Sequence, residues 1–192
     1  TLPPVKGMPS ESRKQSISGS QLFASLPYHF AGLTVVFGKN VKLPALQSLD
    51  ELKPYKIGNR PASLGDLLMM AYKKGLLVNN AIRVDMGVEP LDALSKSEFD
   101  ATIVETHKFD VYRQENPATE LRASGMILPV GLNLGFVTTA EHSELLAAVN
   151  AAISTLTKNG EIEKAARAAG LTYIAPLNPA VRSGLGLEKL IQ

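Results

Sequence analysis

The stretch "FDATIVETHKFDVYR", Phe99–Arg113, joins an apolar run to two side chains with functional chemistry. Its "TIV" segment predicts a buried strand, because parallel strands that are covered on both faces are continuously apolar. The run ends at Glu105, and His107 follows two residues later. Such an ending has two interpretations: the strand ends at the solvent, or its end faces a ligand. If the chain stays extended, Ile103, Glu105 and His107 point to one side.

Helices and strands alternate on both sides of that stretch. Ser48 and Glu51 form the pattern of a capping box at the start of a short helix. Ser63 is an N-cap residue for the helix in "SLGDLLMMAYKKG", which Gly75 ends. A strand in "AIRVDM" and a helix in "EPLDALSKSEF" follow. The alternation predicts an α/β fold with mostly parallel sheets flanked by helices.

Two helices carry apolar residues at a spacing that predicts burial. In the first, Leu67, Met70 and Ala71 share one face. The second, "SELLAAVNAAISTLTKNG", has Ser143 as a candidate cap and Gly160 at its end. Its apolar residues follow a longer helical stripe: Leu145, Val149, Ala152 and Leu156. We expect both faces to pack into a core.

Two extended segments containing glycine, "GLTVVFGKN" and "GLNLGFVTT", flank the βα units. Such a pair of crossings predicts a hinge between two lobes. Pro129 and Gly131 predict a break between two strands in "GMILPVGLNLGFVTT". Residues 1–20 are rich in Ser, Pro and Gly and are predicted to be irregular.

Composition excludes several classes of protein. The net charge of +2 is too small to indicate binding to nucleic acid or to an anionic membrane. The absence of Cys excludes disulfides, thiolate nucleophiles and Cys-based metal sites. No apolar run has the length of a membrane span. The polar N-terminal residues are not a signal peptide, so we expect any such segment to have been removed or to lie outside this sequence.

Five stretches of the sequence follow one another in the order and at the spacing found in one known family: "GMPSESRKQ", "LPYHFAGLTVVFGKN", "SLDELKPYKIGNRPASLGD", "FDATIVE" and "LLAAVNAAISTLTKNGEIEKAARAAG". Together they resemble type II periplasmic solute-binding proteins of the class that serves amino-acid ABC importers. The resemblance covers about residues 7–175 and implies a two-lobed α/β fold with two crossover hinge strands. About seventy residues that the family has before "GMPSESRKQ" have no counterpart, so lobe 1 is expected to be incomplete.

The resemblance implies three regions. Residues 1–38 are the remnant of lobe 1 with the first hinge strand, and residues 39–130 are lobe 2. Residues 131–192 are the second hinge strand, the C-terminal helices of lobe 1 and the tail. Because the C-terminal helices then lack part of their partner surface, we expect self-association, swapping or a bound partner at this lobe.

The resemblance also implies which residues contact the ligand. Ser63 and Leu64 match the positions that receive a ligand carboxylate at a helix N-terminus, and Arg60 beside them can add a charged clamp. Glu105 matches the acid that receives an amino group, with His107 nearby. Arg13 matches the arginine that pairs with an α-carboxylate, although its loop is one residue short. Aromatic residues that precede the first crossing complete the set: Tyr28 and Phe30.

Each of these residues also has a purely structural interpretation. Ser63 can simply cap its helix, and Arg13 and Arg60 can be surface residues. Tyr28 and Phe30 can pack in the core. Glu105 with His107 supplies too few ligands for a metal ion, and no third is evident.

The implied function is that of a periplasmic solute-binding protein. It would capture a small polar ligand, an amino acid or a carboxylate, between two lobes and deliver it to the permease of an ABC importer. No cofactor, metal or catalysis is expected. One alternative is an accessory or regulatory protein of the same fold, for example one that assists a periplasmic quinoprotein dehydrogenase. Another is a dehydratase-like enzyme that uses Glu105 and His107 as acid and base.

Overall fold

The computed structural model describes residues 15–17, 20–42 and 45–177. Its strands are β1 (Gln15–Ile17), β2 (Ser20–Ala24), β3 (His29–Phe37), β4 (Ile57–Asn59), β5 (Ala81–Arg83), β6 (Ala101–Glu105), β7 (Arg122–Leu134) and β8 (Val137–Thr139). Its α-helices are α1 (Leu64–Ala71), α2 (Pro90–Ser95), α3 (Thr106–Glu115), α4 (Ser143–Lys158) and α5 (Glu161–Ala168). Short 3₁₀ helices cover Leu49–Leu52, Tyr72–Lys74, Val78–Asn80 and Ala140–His142. No helix in these residues is long and apolar enough to cross a membrane.

The described residues form two compact units. Unit 2 is the continuous segment Gly32–Gly131, and unit 1 combines the residues up to Ala31 with those from Leu132 onward. Strands β3 and β7 each pass from one unit into the other. The predicted α/β fold with two crossing strands is therefore present.

Unit 2 is built on a five-stranded sheet in the order β5-β4-β6-β3-β7. Strand β4 pairs in parallel with both β5 and β6. Strand β3 runs antiparallel to β6, with Leu33 opposite Glu105 and Phe37 opposite Ala101. The parallel part of the sheet therefore consists of β5, β4 and β6, and a crossing strand lies beside it.

Two apolar clusters cover the two faces of that sheet. Because side chains alternate along a strand, Val35 and Ile103 enter one cluster while Val36 and Val104 enter the other. Helix α1 contributes Leu68 and Met69 to the first, and α2 and α3 contribute to the second: Leu91, Leu94, Phe109 and Tyr112. Within the described residues, the unit 2 sheet thus has one α-helix on one face and two on the other.

Helix α1 packs with a different face from the one predicted. Leu67 is exposed, whereas Gly65, Leu68 and Met69 are buried. A Cβ at Gly65 would run into the carbonyl oxygen of Ile103. The missing side chain lets α1 approach β6 closely, and this contact decides which face is buried.

Unit 1 contains a three-stranded antiparallel sheet, β1-β2-β8. The prediction of an irregular segment is wrong for β1 and for the start of β2. In the same unit, the Leu26 N–H donates to Asn150 Oδ1 of α4 at 2.7 Å. The Phe30 N–H donates to the Ile174 carbonyl at 3.0 Å.

The predicted break at Pro129 and Gly131 is also wrong. Strand β7 runs through both residues and ends at Leu134. It lies at the edge of the five-stranded sheet, where a missing N–H does not interrupt pairing with a further strand. Ser143 likewise is the first residue of α4 and not its cap, which is His142.

Candidate functional site

The carboxyl ends of β4, β5 and β6 lie at the same edge of the unit 2 sheet, because these strands are parallel. Helix α1 follows β4 and helix α3 follows β6 directly, so two helix N-termini lie at this edge as well. Parallel sheets commonly bind ligands at this edge. We call it the carboxyl edge, defined by residues 59–66, 84–89 and 105–108.

A buried amide joins the two strands at the carboxyl edge. Asn59 is 3% exposed, and its Oδ1 accepts from the Ile103 N–H at 3.0 Å and the Thr102 hydroxyl at 3.2 Å. Its Nδ2 donates to Met69 Sδ of α1. Asn59 therefore holds β4, β6 and α1 in register. Asn59 was not predicted as a site residue, although its place as a polar residue at the end of the "KIGN" strand was an available signal.

The first turn of α1 has its cap in place. Ser63 is extended, and its Oγ accepts from the Asp66 N–H at 3.2 Å, which confirms the predicted N-cap. The Asp66 carboxylate accepts in return from the Ala62 N–H at 2.9 Å. The N–H groups of Leu64 and Gly65 fall in the first turn, where a helix provides no carbonyl to receive them. Ser63 thus caps the helix and still has its hydroxyl proton to donate.

Ala62, immediately before the cap, has φ of 60°. That left-handed conformation costs a residue with a side chain roughly 1–2 kcal/mol, whereas glycine adopts it freely. The turn that leads into α1 is therefore strained.

The guanidinium group of Arg60 is held in place by neighbouring residues. Its Nη2 donates to the Val88 carbonyl at 3.2 Å and forms an ion pair with Glu89 at 3.1 Å. Its Nε is buried and has no hydrogen-bond partner among the described residues. Arg60 is thus fixed by the loop that follows β5 and keeps one N–H available. Val88 and Glu89 were not predicted to contribute to the site.

Glu105 is the last residue of β6 and is half-buried. Its carboxylate pairs with Lys108 at 2.9 Å. Burial acts to raise the pKa of Glu105, but the hydrogen bond and charge of Lys108, with a smaller contribution from His107, leave this pKa below its ordinary value. Glu105 is therefore a carboxylate at neutral pH, placed to receive a cation in competition with a half-exposed lysine.

Thr106 and His107 form the first turn of α3, so His107 is not on the extended strand as predicted. Because the helix starts immediately after Glu105, the alternation of side chains along a strand does not extend to His107. Thr106 is 4% exposed, and its Oγ1 has no hydrogen-bond partner. His107 Nδ1 is also buried without a partner. Thr106 lies in the stretch "FDATIVETHKFDVYR" but was not predicted as a site residue.

The buried side-chain atoms without a partner therefore concentrate at the carboxyl edge. Arg60 Nε, Thr106 Oγ1 and His107 Nδ1 are the ones found in the described residues. Buried polar groups in folded proteins are nearly always satisfied, so each exception calls for an explanation. Ligand atoms that complete these bonds are one such explanation.

The other predicted site residues do not belong to this edge. Phe30 is 5% exposed, as expected for a packed residue. The ring centroids of Tyr28 and Phe136 are 5.2 Å apart. Both belong to unit 1. Arg13 lies outside the described residues. Their roles in binding stay predictions.

The described residues contain no group of three or more His, Asp or Glu side chains that could hold one metal ion. Two of the candidate ligands, Glu105 and His107, lie two residues apart in the chain, but the first is engaged by Lys108. The chemistry of the edge is that of hydrogen-bond donors and acceptors around two helix N-termini.

Comparisons with known proteins identify the fold. No protein-family model matches the sequence, and no curated protein was found with a similar sequence. Solved structures do match. The L-cystine solute receptor of Neisseria gonorrhoeae is 18% identical with a TM-score of 0.61, over 81% of this chain and 63% of that protein. Substrate-binding domain 2 of GlnP from Lactococcus lactis is 16% identical with a TM-score of 0.59, over 74% of this chain and 60% of that domain.

A third match is the second substrate-binding domain of a putative amino-acid ABC transporter from Streptococcus pneumoniae. It is 14% identical with a TM-score of 0.59, over 79% of this chain and 67% of that domain. The chain thus has the fold of type II solute-binding proteins, and the predicted resemblance is confirmed at that level. It spans less than two thirds of the length of the first two structures. These matches are a solute receptor and two substrate-binding domains.

Proposed function

We propose that this chain belongs to an extracytoplasmic solute-binding protein of the amino-acid type, which binds a small zwitterionic or carboxylate ligand at the carboxyl edge of unit 2. The observation that carries the proposal is the concentration of unsatisfied buried polar atoms there: Arg60 Nε, Thr106 Oγ1 and His107 Nδ1. The fold supports it, because solved structures with this fold are solute receptors and substrate-binding domains.

The carboxylate of the ligand has donors at the start of α1. The Leu64 and Gly65 N–H groups and the positive end of the helix dipole favour an anion. The Ser63 hydroxyl can donate while its oxygen still caps the helix. Arg60 Nε–H adds a charged donor, and its ion pair with Glu89 keeps the guanidinium in place.

The ammonium group has acceptors at the start of α3. An ammonium group carries three N–H donors. The Glu105 carboxylate, Thr106 Oγ1 and His107 Nδ1 occur in three consecutive residues and can accept from it. Lys108 is about half exposed, so a ligand can displace its ammonium from Glu105 at small cost. The start of α1 thus offers donors to the ligand carboxylate, and the negative charge of Glu105, which precedes α3, attracts the ammonium group.

Binding needs no covalent chemistry. A ligand that binds one conformation better than another shifts the population toward it, and strands β3 and β7, which cross between the units, are the places where a hinge can bend. Delivery to an ABC permease and a periplasmic location are further parts of the proposal. Contributions from Tyr28, Phe30 and Arg13 rest on the sequence resemblance.

A thermal-shift and calorimetry screen tests the proposal. The panel pairs each amino acid with its decarboxylated amine and its deaminated acid. We expect an amino acid or carboxylate to raise Tm, and Glu105→Gln to weaken an amino acid roughly tenfold to hundredfold, as for a hydrogen bond to a charged group. The control is Glu98→Gln, an exposed glutamate in the segment before β6, at the opposite end of that strand.

Two results would count against the proposal. One is no shift with any compound, for a chain extended to the length of the matched structures. The other is equal weakening by Glu105→Gln and Glu98→Gln, which would place the ligand away from the carboxyl edge. Turnover of a bound compound that Glu105→Gln abolishes would instead support the enzyme alternative.

A further inference from the structure

Lys108 carries a positive charge in the first turn of α3, where a helix does not favour one. The N–H groups at a helix N-terminus give that end a partial positive charge, which stabilises anions and repels cations. The described first turn of α3 contains no acidic residue, and the N-cap residue, Glu105, makes no capping hydrogen bond with its side chain. Helix electrostatics therefore does not account for the position of the Lys108 ammonium, and another contact has to.

The Glu105 carboxylate is the contact that holds this ammonium. Lys108 Nζ lies 2.9 Å from Glu105 Oε2, and the exposed fraction of the side chain is 51% for the lysine and 23% for the glutamate. Although burial acts to raise the pKa of Glu105, the hydrogen bond to Lys108 helps to hold it below its ordinary value. The carboxylate is thus the more buried partner, and the ammonium reaches it on a flexible and more exposed stem.

The ammonium of Lys108 and the ammonium of an amino acid are the same chemical group. Each carries one positive charge and three N–H donors. Two such groups on one carboxylate would lie a few ångströms apart and repel each other, so a ligand ammonium can bind at Glu105 only if Lys108 leaves. We propose, on the basis of the proposed function, that Lys108 is a specificity-determining residue, whose ammonium occupies the subsite at Glu105 and competes with the ligand for it.

The other ion pair at the carboxyl edge does not compete in this way. Arg60 Nη2 is bound by both Glu89 and the Val88 carbonyl, whereas the donor that a ligand would use is Arg60 Nε. A ligand carboxylate therefore adds to that pair without replacing it. Competition is confined to the ammonium of the ligand, and it acts only on ligands that have one.

The strength of the ion pair sets the size of the effect. A tethered cation has a high effective concentration, so it competes at every concentration of ligand. Because a pair with an exposed lysine contributes little, we expect removal of the Lys108 charge to tighten amino-acid binding about twofold to fivefold. A deaminated acid should gain nothing, because it has no ammonium and the charge of Glu105 is then no longer neutralised. The preference for amino acids over acids should therefore increase.

Calorimetric titration of the full-length protein tests the proposal. The probes are the twenty protein amino acids and the deaminated acid of each. Lys108→Met removes the charge and keeps an unbranched side chain with good helix propensity, so it should show the gain of about twofold to fivefold for amino acids. Lys108→Arg keeps a cation that pairs with carboxylates at least as well, so it should bind amino acids no more tightly than the natural sequence.

Two controls separate competition from a general loss of positive charge. Lys164 pairs with Glu161 on α5 at the same spacing of three residues, 3.5 Å apart, so Lys164→Met should leave the affinity unchanged. Glu105→Gln removes the shared partner, so adding Lys108→Met to it should give no further gain. Urea unfolding of every variant checks that each is folded.

The outcomes distinguish the role of Lys108 from the proposed function. Amino acids that bind the natural sequence but gain nothing from Lys108→Met would overturn the role of Lys108 and leave the proposed function intact. The same gain in Lys108→Arg or in Lys164→Met would also overturn it, because neither removes the competing charge. Amino acids that bind only to Lys108→Met would support the competition in its strongest form. If no variant binds any amino acid, the ammonium subsite at Glu105 is wrong, and the role of Lys108 fails with it; if the acids do not bind either, the proposed function fails as well.

Discussion

The two units of the molecule differ in how they bury apolar side chains. Both core clusters lie in unit 2, on either face of its five-stranded sheet. In the described part of unit 1, the buried apolar residues are Phe30, Ala31 and Ile153. Hydrophobic stabilisation is roughly proportional to apolar area removed from water. Unit 2 therefore has a core of its own, whereas the described part of unit 1 buries few apolar side chains.

The largest expected effect tests this contrast with the same substitution in each unit. Leu68 in α1 is fully buried, and Leu145 in α4 is 59% exposed. Leu68→Ala should lower the free energy of unfolding by about 2–5 kcal/mol because it leaves a cavity. Leu145→Ala should lower it by less than about 0.5 kcal/mol in dilute solution. Urea unfolding measures both, and equal losses would contradict the difference between the units.

A second substitution tests whether the tight packing of unit 2 reaches its carboxyl edge. Gly65→Ala places a methyl group against the Ile103 carbonyl, so α1 has to move away from β6. We expect a loss of about 1–3 kcal/mol in unfolding free energy, as for an overpacked site, together with weaker ligand binding. Gly87→Ala is the control for the unfolding free energy, because a Cβ there meets no atom within 4 Å. If both variants behave alike, the close approach of α1 does not matter for the site.

The pH dependence of the unfolding free energy tests the contribution of the half-buried Glu105 carboxylate at the carboxyl edge. The folded-state pKa of Glu105 lies below its ordinary value of 4.5. A lowered pKa contributes stability that is fully present above about pH 4.5 and is lost as pH falls through the folded-state pKa.

Glu105→Gln should therefore flatten the acid side of the stability curve below about pH 4.5. Lys108→Ala should shift the loss to higher pH, because the partner that lowers the pKa is gone. Chemical unfolding at a series of pH values measures both curves. Unchanged curves for both variants would show that the ion pair does not couple to folding.

The smallest effect concerns the strained turn before α1. Ala62→Gly relieves a φ of 60° but adds freedom to the unfolded chain, so we expect a net gain of about 0.5 kcal/mol. Ala148→Gly on the exposed face of α4 should have the opposite sign, a loss of about 1 kcal/mol, because glycine is a poor helix former. A loss in both variants would mean that Ala62 is not strained.

Local signals in the sequence predicted the start of elements well. The capping box of Ser48 and Glu51 is present, with Glu51 Oε1 accepting from the Ser48 N–H at 3.0 Å. Ser63 caps α1, and Gly75 has the left-handed φ of 85° that ends a helical segment. These features depend on residues three or four apart, which a sequence displays directly.

Features that depend on distant parts of the chain were predicted less well. Pro129 does not break β7, because that strand lies at a sheet edge, which only the strand order reveals. His107 leaves the alternation because α3 begins without a loop after Glu105. Asn59 and Thr106 gain their importance from neighbours across the sheet and from burial. The stripe on α4 was recognised, but its spacing does not say which surface would cover it.

The placement of the crossing strands has a consequence for synthesis on the ribosome. Within the described residues, unit 2 is one uninterrupted segment, Gly32–Gly131, whereas unit 1 combines residues that precede it with residues that follow it. Since translation proceeds from the N-terminus and domains tend to fold as they emerge, unit 2 can complete its sheet before α4 exists. Strand β2 can pair with β8 only after β8 has been synthesised, so the sheet β1-β2-β8 is completed later than the sheet of unit 2. We expect a nascent chain stalled just beyond β7 to contain a protease-resistant unit 2 and an N-terminal segment that is still cleaved.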